Sequence, residues 1–321
     1  MMYNANLKKE FIEFYTKSES TKVKCENIFN KTGEIEYKYN TDLCYITDRD
    51  KLLEIVSCVS GNKSRGTNSR IIMLRQYVQW CSKKMDGVTD SLKDISAKDV
   101  NIIYIQNHMA SDPKDFKKYM DSFLRADNEF TTDIIYKCLL WLGYAGFPEG
   151  EALNLRNSNV NLEIVDDVFV ITYDDQDYFV PSVAEDVFRK CVELKAFNYS
   201  NANYVKGDIV RDRLPGDILL RGVRSTSKSF KVLAQNISNR AMGANMKRRI
   251  NYTNASLSGF FYHLYSLEQN NEIDFMFYAK QYVDKREYKL DKTKLTLNGL
   301  QTKIAKELEF DYNLWKLAFK K

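Results

Sequence analysis

A chain of 321 residues, 44% of them hydrophobic, can bury the cores of two ordinary domains, and no low-complexity tract argues for disorder. It has no run of about 18 apolar residues to cross a membrane, and its first ten residues lack the apolar stretch of a secretory signal, so a soluble cytoplasmic protein is expected. The net charge of +5 excludes little by itself.

In chain order the periodicity first predicts helices. Leu7, Phe11, Ile12 and Phe14-Tyr15 give a short amphipathic one. Lys51 to Val59 gives another, with Thr47-Asp48 as cap candidates. From Asn68 to Lys83, Ile71, Leu74, Val78 and Cys81 fall on one stripe with Trp80 beside it. The glycine-bounded basic loop 61–67 leads into that helix, and Thr67 or Asn68 can cap it. A boundary is expected near 107–112, after which Pro113 opens a helix with Asp112 as N-cap. The helix at about 132–143 is apolar on its flanks and should be central to a core.

The period then changes. Leu162 and Ile164, Val168 to Tyr173, and Tyr178 to Val180 read as three short strands, with turns at Asp166-Asp167 and Asp174-Asp175-Gln176. Helices follow at Val183 to about Ala196, Ser227 to Met242, Thr253 to Glu268 and Leu297 to Phe319. The fold expected is mostly α with a small antiparallel β-sheet, in two domains: a helical one over 1–108 and an α+β one over 109–321.

The six cysteines, at 25, 44, 58, 81, 138 and 191, include no Cys-x-x-Cys pair, and His108 and His263 are the only histidines. Small core thiols are expected, with no metal site and no cofactor.

Charge is segregated. Gly61 to Lys84 holds six Lys/Arg and no acid, and Lys206 to Arg249 holds eleven against three Asp. Between them, Asn157 to Val187 holds eight acids and no base. Blocks of one sign on folded segments suggest a nucleic-acid footprint, although a solvated surface can look the same. Three basic clusters are candidates for DNA contact. Lys63, Arg65, Arg70 and Arg75 lie in the first loop and on the polar face of its helix. Arg221, Arg224, Lys228 and Lys231 flank a helix start where Ser227, Ser229 and the backbone amides suit a phosphate, with Gln235 beyond. Lys247, Arg248 and Arg249 form the third, in a loop. Arg156 follows an apolar stretch and reads as a buried structural ion pair.

One motif stands out. Tyr144-Ala145-Gly146-Phe147-Pro148-Glu149-Gly150-Glu151-Ala152-Leu153-Asn154-Leu155-Arg156 resembles the first arginine box of the tyrosine recombinases (phage integrases), a Thr-Gly-Leu-Arg-x-x-Glu-Ala-Leu type of pattern. Gly146, Glu151, Ala152 and Leu153 match, but Pro148 stands where the catalytic arginine belongs. The resemblance covers about 230 residues and implies a core-binding domain followed by a catalytic domain, together clamping duplex DNA. It also says where the other catalytic groups should be. The second hairpin turn, which should offer a lysine, reads Asp174-Asp175-Gln176-Asp177. The His-x-x-Arg box should lie near Leu257 to His263, which has no arginine. Any of Tyr278, Tyr282, Tyr288 and Tyr312 could occupy the nucleophile position, but a tyrosine without the surrounding cations attacks nothing.

The resemblance therefore implies a catalytically degenerate member with no catalytic residues and no enzymatic activity. It is similar to the recombinase-like repressors of bacterial prophages, which implies a sequence-specific repressor bound to operators in double-stranded DNA, maintaining lysogeny at the host nucleoid. The alternative is an active site-specific recombinase with displaced catalytic residues. The C-terminal helix could serve self-association.

Overall fold

The computed structural model describes residues 1–60, 64–124, 131–194, 196–199, 209–212, 216–220, 230–269, 272–284 and 296–320. The fold is mostly α-helical with a small antiparallel β-sheet, as the sequence predicts. The chain divides into two compact units. One comprises Met1–Gln106 with Lys316–Phe319, and the other Asn107–Trp315 with Lys320. No helix among the described residues is long and apolar enough to cross a membrane.

The first unit is helical: α1 (Ala5–Tyr15), α2 (Glu19–Tyr39), a 3-10 turn (Leu43–Tyr45), α3 (Arg49–Val59), α4 (Ser64–Ser82) and most of α5 (Ala97–His108). Asp48 caps α3 by accepting from the amides of Asp50 and Lys51 at 2.9 and 3.1 Å. Helix α4 begins earlier than its composition suggests. Thr67 is buried inside the helix and Asn68 follows it there, so neither caps it. The core gathers Phe11, Phe29, Leu52, Ile55, Leu74 and Tyr77. Within it Lys8 is fully buried, with its ammonium 2.5 Å from Glu36 and 3.6 Å from Asp42. Glu36 also accepts from the Leu43 amide at 2.7 Å and the Thr32 hydroxyl at 3.0 Å, and Asp42 accepts from the Tyr77 hydroxyl at 3.0 Å. Two carboxylates thus share one ammonium. Burial pushes the Glu36 carboxyl up, against the pull of Lys8.

The second unit opens with α6 (Pro113–Asp121), where Asp112 accepts from the Asp115 amide at 2.8 Å and proline takes the first helical position. Helix α7 (Thr131–Tyr144) is central and nearly all buried. Strands β1 (Val160–Val165), β2 (Val168–Tyr173) and β3 (Gln176–Pro181) form an antiparallel meander in that order. Asp166-Asp167 and Asp174-Asp175 make two-residue turns with all four φ between 50° and 63°, the left-handed pattern that aspartate tolerates in tight hairpins. Phe169, Ile171, Tyr178 and Val180 form the buried face of the sheet.

Next come α8 (Glu185–Glu193) and a second hairpin, β4 (Ala196–Tyr199) with β5 (Ile209–Asp212). The helix expected to reach Ala196 therefore ends earlier, and Ala196 starts a strand. Helices α9 (Phe230–Gly243), α10 (Tyr252–Glu268), α11 (Phe275–Asp284) and most of α12 (Leu297–Phe319) complete the unit. Helix α10 crosses α7 at very short range. A Cβ on Gly259 would lie 1.8 Å from the Tyr144 carbonyl oxygen, and one on Gly143 would lie 3.0 Å from the Tyr252 ring.

Candidate nucleic-acid interface

The motif at Gly146 is first of all a helix stop. Gly146 has φ +77°, its amide bonds the Gly143 carbonyl at 2.8 Å, and the Phe147 amide reaches the Leu142 carbonyl at 2.9 Å. This paired arrangement closes a helix with a left-handed glycine. It drives Phe147 into the core, where its ring meets Tyr173 and Tyr178 at 5.3 and 4.8 Å between centroids. The Tyr252 hydroxyl donates to the Phe147 carbonyl at 2.8 Å. The box, the β2–β3 hairpin and the first turn of α10 are thereby brought together.

What they bring together is acidic. The Glu151 carboxylate accepts from the Asn154 amide nitrogen and the Tyr173 hydroxyl, both at 2.8 Å. These bonds hold Glu151 below the usual carboxylate range and push the Tyr173 hydroxyl up. From Cys138 to Phe188 the only Lys or Arg in the sequence is Arg156. Contrary to expectation, Arg156 is exposed rather than buried. Its amide bonds the Asn159 side chain at 2.9 Å. His263 is exposed on α10.

The predicted DNA-contact residues have different surroundings. Lys63 lies outside the described residues, and so do Arg221, Arg224, Ser227, Lys228 and Ser229. Arg65 sits in the first turn of α4, but its side chain is likewise outside them. Arg70 donates to the carbonyl of Val59, the last residue of α3, at 2.5 Å. Arg75 donates to the carbonyls of Leu92 at 2.9 Å and Lys93 at 3.1 Å. A guanidinium bonded to carbonyls keeps its full charge, so both arginines fasten the first unit and still contribute positive potential.

In the second unit Lys231, Lys247 and Arg249 are exposed, and Gln235 is exposed on the same helix as Lys231. Arg248 is committed elsewhere. It grips Asp115 with two nitrogens, at 2.8 and 2.5 Å, and also donates to the Met109 carbonyl. Asp115 is the partner that sequence reading missed. Burial alone would push its carboxyl up, but the Arg248 guanidinium and the Ser111 amide outweigh burial and hold it below its ordinary value. Arg240, the remaining cation of α9, pairs with Asp133 at 2.8 Å. Of the predicted contact residues described in the second unit, Lys231, Lys247 and Arg249 therefore remain as exposed cations, on α9 and in the turn before α10.

Residues 2–83, which span α1 to α4, match the family described as the MrpR N-terminal core-binding domain. No curated protein sequence matches the chain. Two solved structures of lambda integrase are similar to it. One, of residues 75–356 bound to DNA, is 9% identical and covers 91% of this chain and 99% of that one, with a TM-score of 0.31. The other, a dimer of the same residues bound to a COC′ core site, is 11% identical, covers 92% and 100%, and also has a TM-score of 0.31. At these TM-scores the fold assignment rests on the elements themselves.

Proposed function

We propose that the protein binds duplex DNA as a sequence-specific repressor that holds a prophage in lysogeny, and that it neither cuts nor rejoins strands. One observation carries the second half. The box, the β2–β3 hairpin and α10 meet where a recombinase would gather cations around a phosphodiester, yet residues 138–188 supply a single cation and Glu151 stays ionised there. Loss of one oxyanion-stabilising donor typically lowers turnover by about 10²–10³. With Pro148 in place of one arginine, an acidic turn in place of the lysine and no arginine from Leu257 to His263, turnover should vanish.

Binding needs none of those groups, because affinity for DNA is spread over many phosphate contacts. The core-binding match over residues 2–83 and the exposed cations Lys231, Lys247 and Arg249 support this half. In this reading residues 1–108 act as the core-binding domain and residues 109–321 as the degenerate catalytic-like domain.

Gel shifts on prophage DNA fragments test the binding half. With 6–10 phosphate contacts, affinity should drop by about 10³–10⁵ between 50 and 200 mM salt, and some fragment should outcompete bulk DNA. Nicked suicide duplexes test the other half. A covalent protein–DNA adduct, in the native protein or in Pro148→Arg, would instead establish the active recombinase.

A further inference from the structure

We infer that the outer face of the β1–β3 sheet is a docking site for a second copy of this chain, received through the α9 side of that copy. A solvated face of an antiparallel sheet is ordinarily polar. Here Phe179 is 61% exposed and Val165 60%. Val170 is paired in register with Phe179, and Val168 with Val165, so the half-buried valines extend the same apolar surface. Apolar side chains gathered on one small face mark an interaction surface.

The rim of that face fixes the charge of its partner. Glu163, Asp166, Asp167, Asp174, Asp175 and Asp177 surround it, and none forms a salt bridge among the described residues. The sequence from Asn157 to Val187 holds eight acids and no base. The partner must be basic with apolar anchors. This chain carries that complement itself. Among the described residues from Ile218 to Leu267, Lys231, Lys247 and Arg249 are exposed cations, and the stretch holds no acid. On α9, Val232 is 42% exposed and Met242 40%, beside exposed Lys231. Val232, Gln235, Asn239 and Met242 follow helical spacing along one face, and the exposed Lys247 and Arg249 come just after.

The two surfaces are different, so the contact is head to tail rather than self-complementary, and it can repeat from copy to copy. Three strands of six residues present roughly 20 Å by 14 Å, on the order of 300 Å². That is well below the roughly 800 Å² per partner of a stable interface, so the association is weak and electrostatic. It belongs to tens of micromolar and above, and it weakens as salt shortens the screening length from about 14 Å to about 4 Å.

Sedimentation velocity of the full chain tests this. At about 50 mM salt the weight-average coefficient should rise with concentration, and at about 500 mM it should return to the monomer value. Phe179→Ser with Val165→Ser should abolish the rise. Asp174→Asn with Asp175→Asn should do the same and keeps a residue type that tolerates positive φ, so it covers the case where the apolar pair is needed for folding. Phe179→Ser with Val165→Ser changes no charge, so its gel shifts on duplex DNA should be unchanged, and a defect in association can be told apart from a defect in DNA binding; Asp174→Asn with Asp175→Asn removes two acids that repel the duplex, so it should not weaken the shift. A monomer at every concentration overturns the inference. So does association that both sheet variants leave intact, as packing through α12 would produce.

Discussion

Arg248 lies among three consecutive cations, and its role is decided by a carboxylate far away in sequence. Asp115 meets it in a two-pronged grip, 133 residues distant. Hydrogen bonds between charged groups are worth about 1.5–3 kcal/mol each, so Arg248→Ala should destabilise the second unit by a few kcal/mol and lower its thermal midpoint. Lys247→Ala, at an exposed position, should leave that midpoint unmoved. The pH dependence follows from Asp115. Its folded pKa is depressed, so its contribution is present above the ordinary aspartate pKa of about 3.9 and is lost as pH falls through the folded value. Urea melts should therefore show the Arg248→Ala penalty at neutral pH and a shrinking one in acid. Lys8 makes the parallel case in the first unit. Lys8→Ala leaves Glu36 and Asp42 facing each other in a dry core, and breaking a buried pair costs about 3–5 kcal/mol. A melt that moves by less than about 1 kcal/mol would mean that water reaches the site.

Among the elements, the crossing of α7 and α10 is the tightest joint described. Any side chain at Gly259 collides with the Tyr144 carbonyl, and overpacking of this kind costs about 1–3 kcal/mol. Gly259→Ala should lower the thermal midpoint of the second unit, whereas Gly150→Ala, with open space around it, should not. How legible each element is in the sequence depends on the residue types it spends on its buried positions. The three strands are legible because alternation and paired aspartates both point to hairpins. Asp112-Pro113 announces α6 for an equally local reason. Helix α2 is not legible, although its buried positions are regularly spaced. They are Cys25, Phe29, Thr32, Gly33 and Glu36, and most of them are polar or glycine, so no apolar stripe exists to see. Gly66 misleads in the other direction. It reads as loop, yet it lies within α4, which shifts the helix start to Ser64 and leaves Thr67, expected as a cap, inside the helix. Missing cations are the easiest feature of the site to read, because the absence of a residue type requires no coordinates. The partner of Arg248 is unreadable for the opposite reason, since only the fold brings Asp115 to it.

At the level of the whole molecule, opposite charges are sorted into separate stretches of chain. The stretch that contains the box and the hairpins is acidic, and the stretch through α9 to the start of α10 is basic. Duplex DNA is repelled by the first and attracted by the second. Lys231→Glu with Lys247→Glu should therefore weaken duplex binding across all sequences and flatten its salt dependence by about 0.9 for each phosphate that is no longer neutralised. Both side chains are exposed, so the melt should be unchanged. Binding without strand cleavage is tested most directly by one binding reaction read on two gels. The full chain is mixed with a pool of nicked prophage duplexes, and the same mixture is run natively and in SDS. A repressor that binds without cutting gives a fragment-selective native shift that salt dissolves and no SDS-stable adduct. A covalent adduct, or a native shift with no preference among fragments, would contradict it.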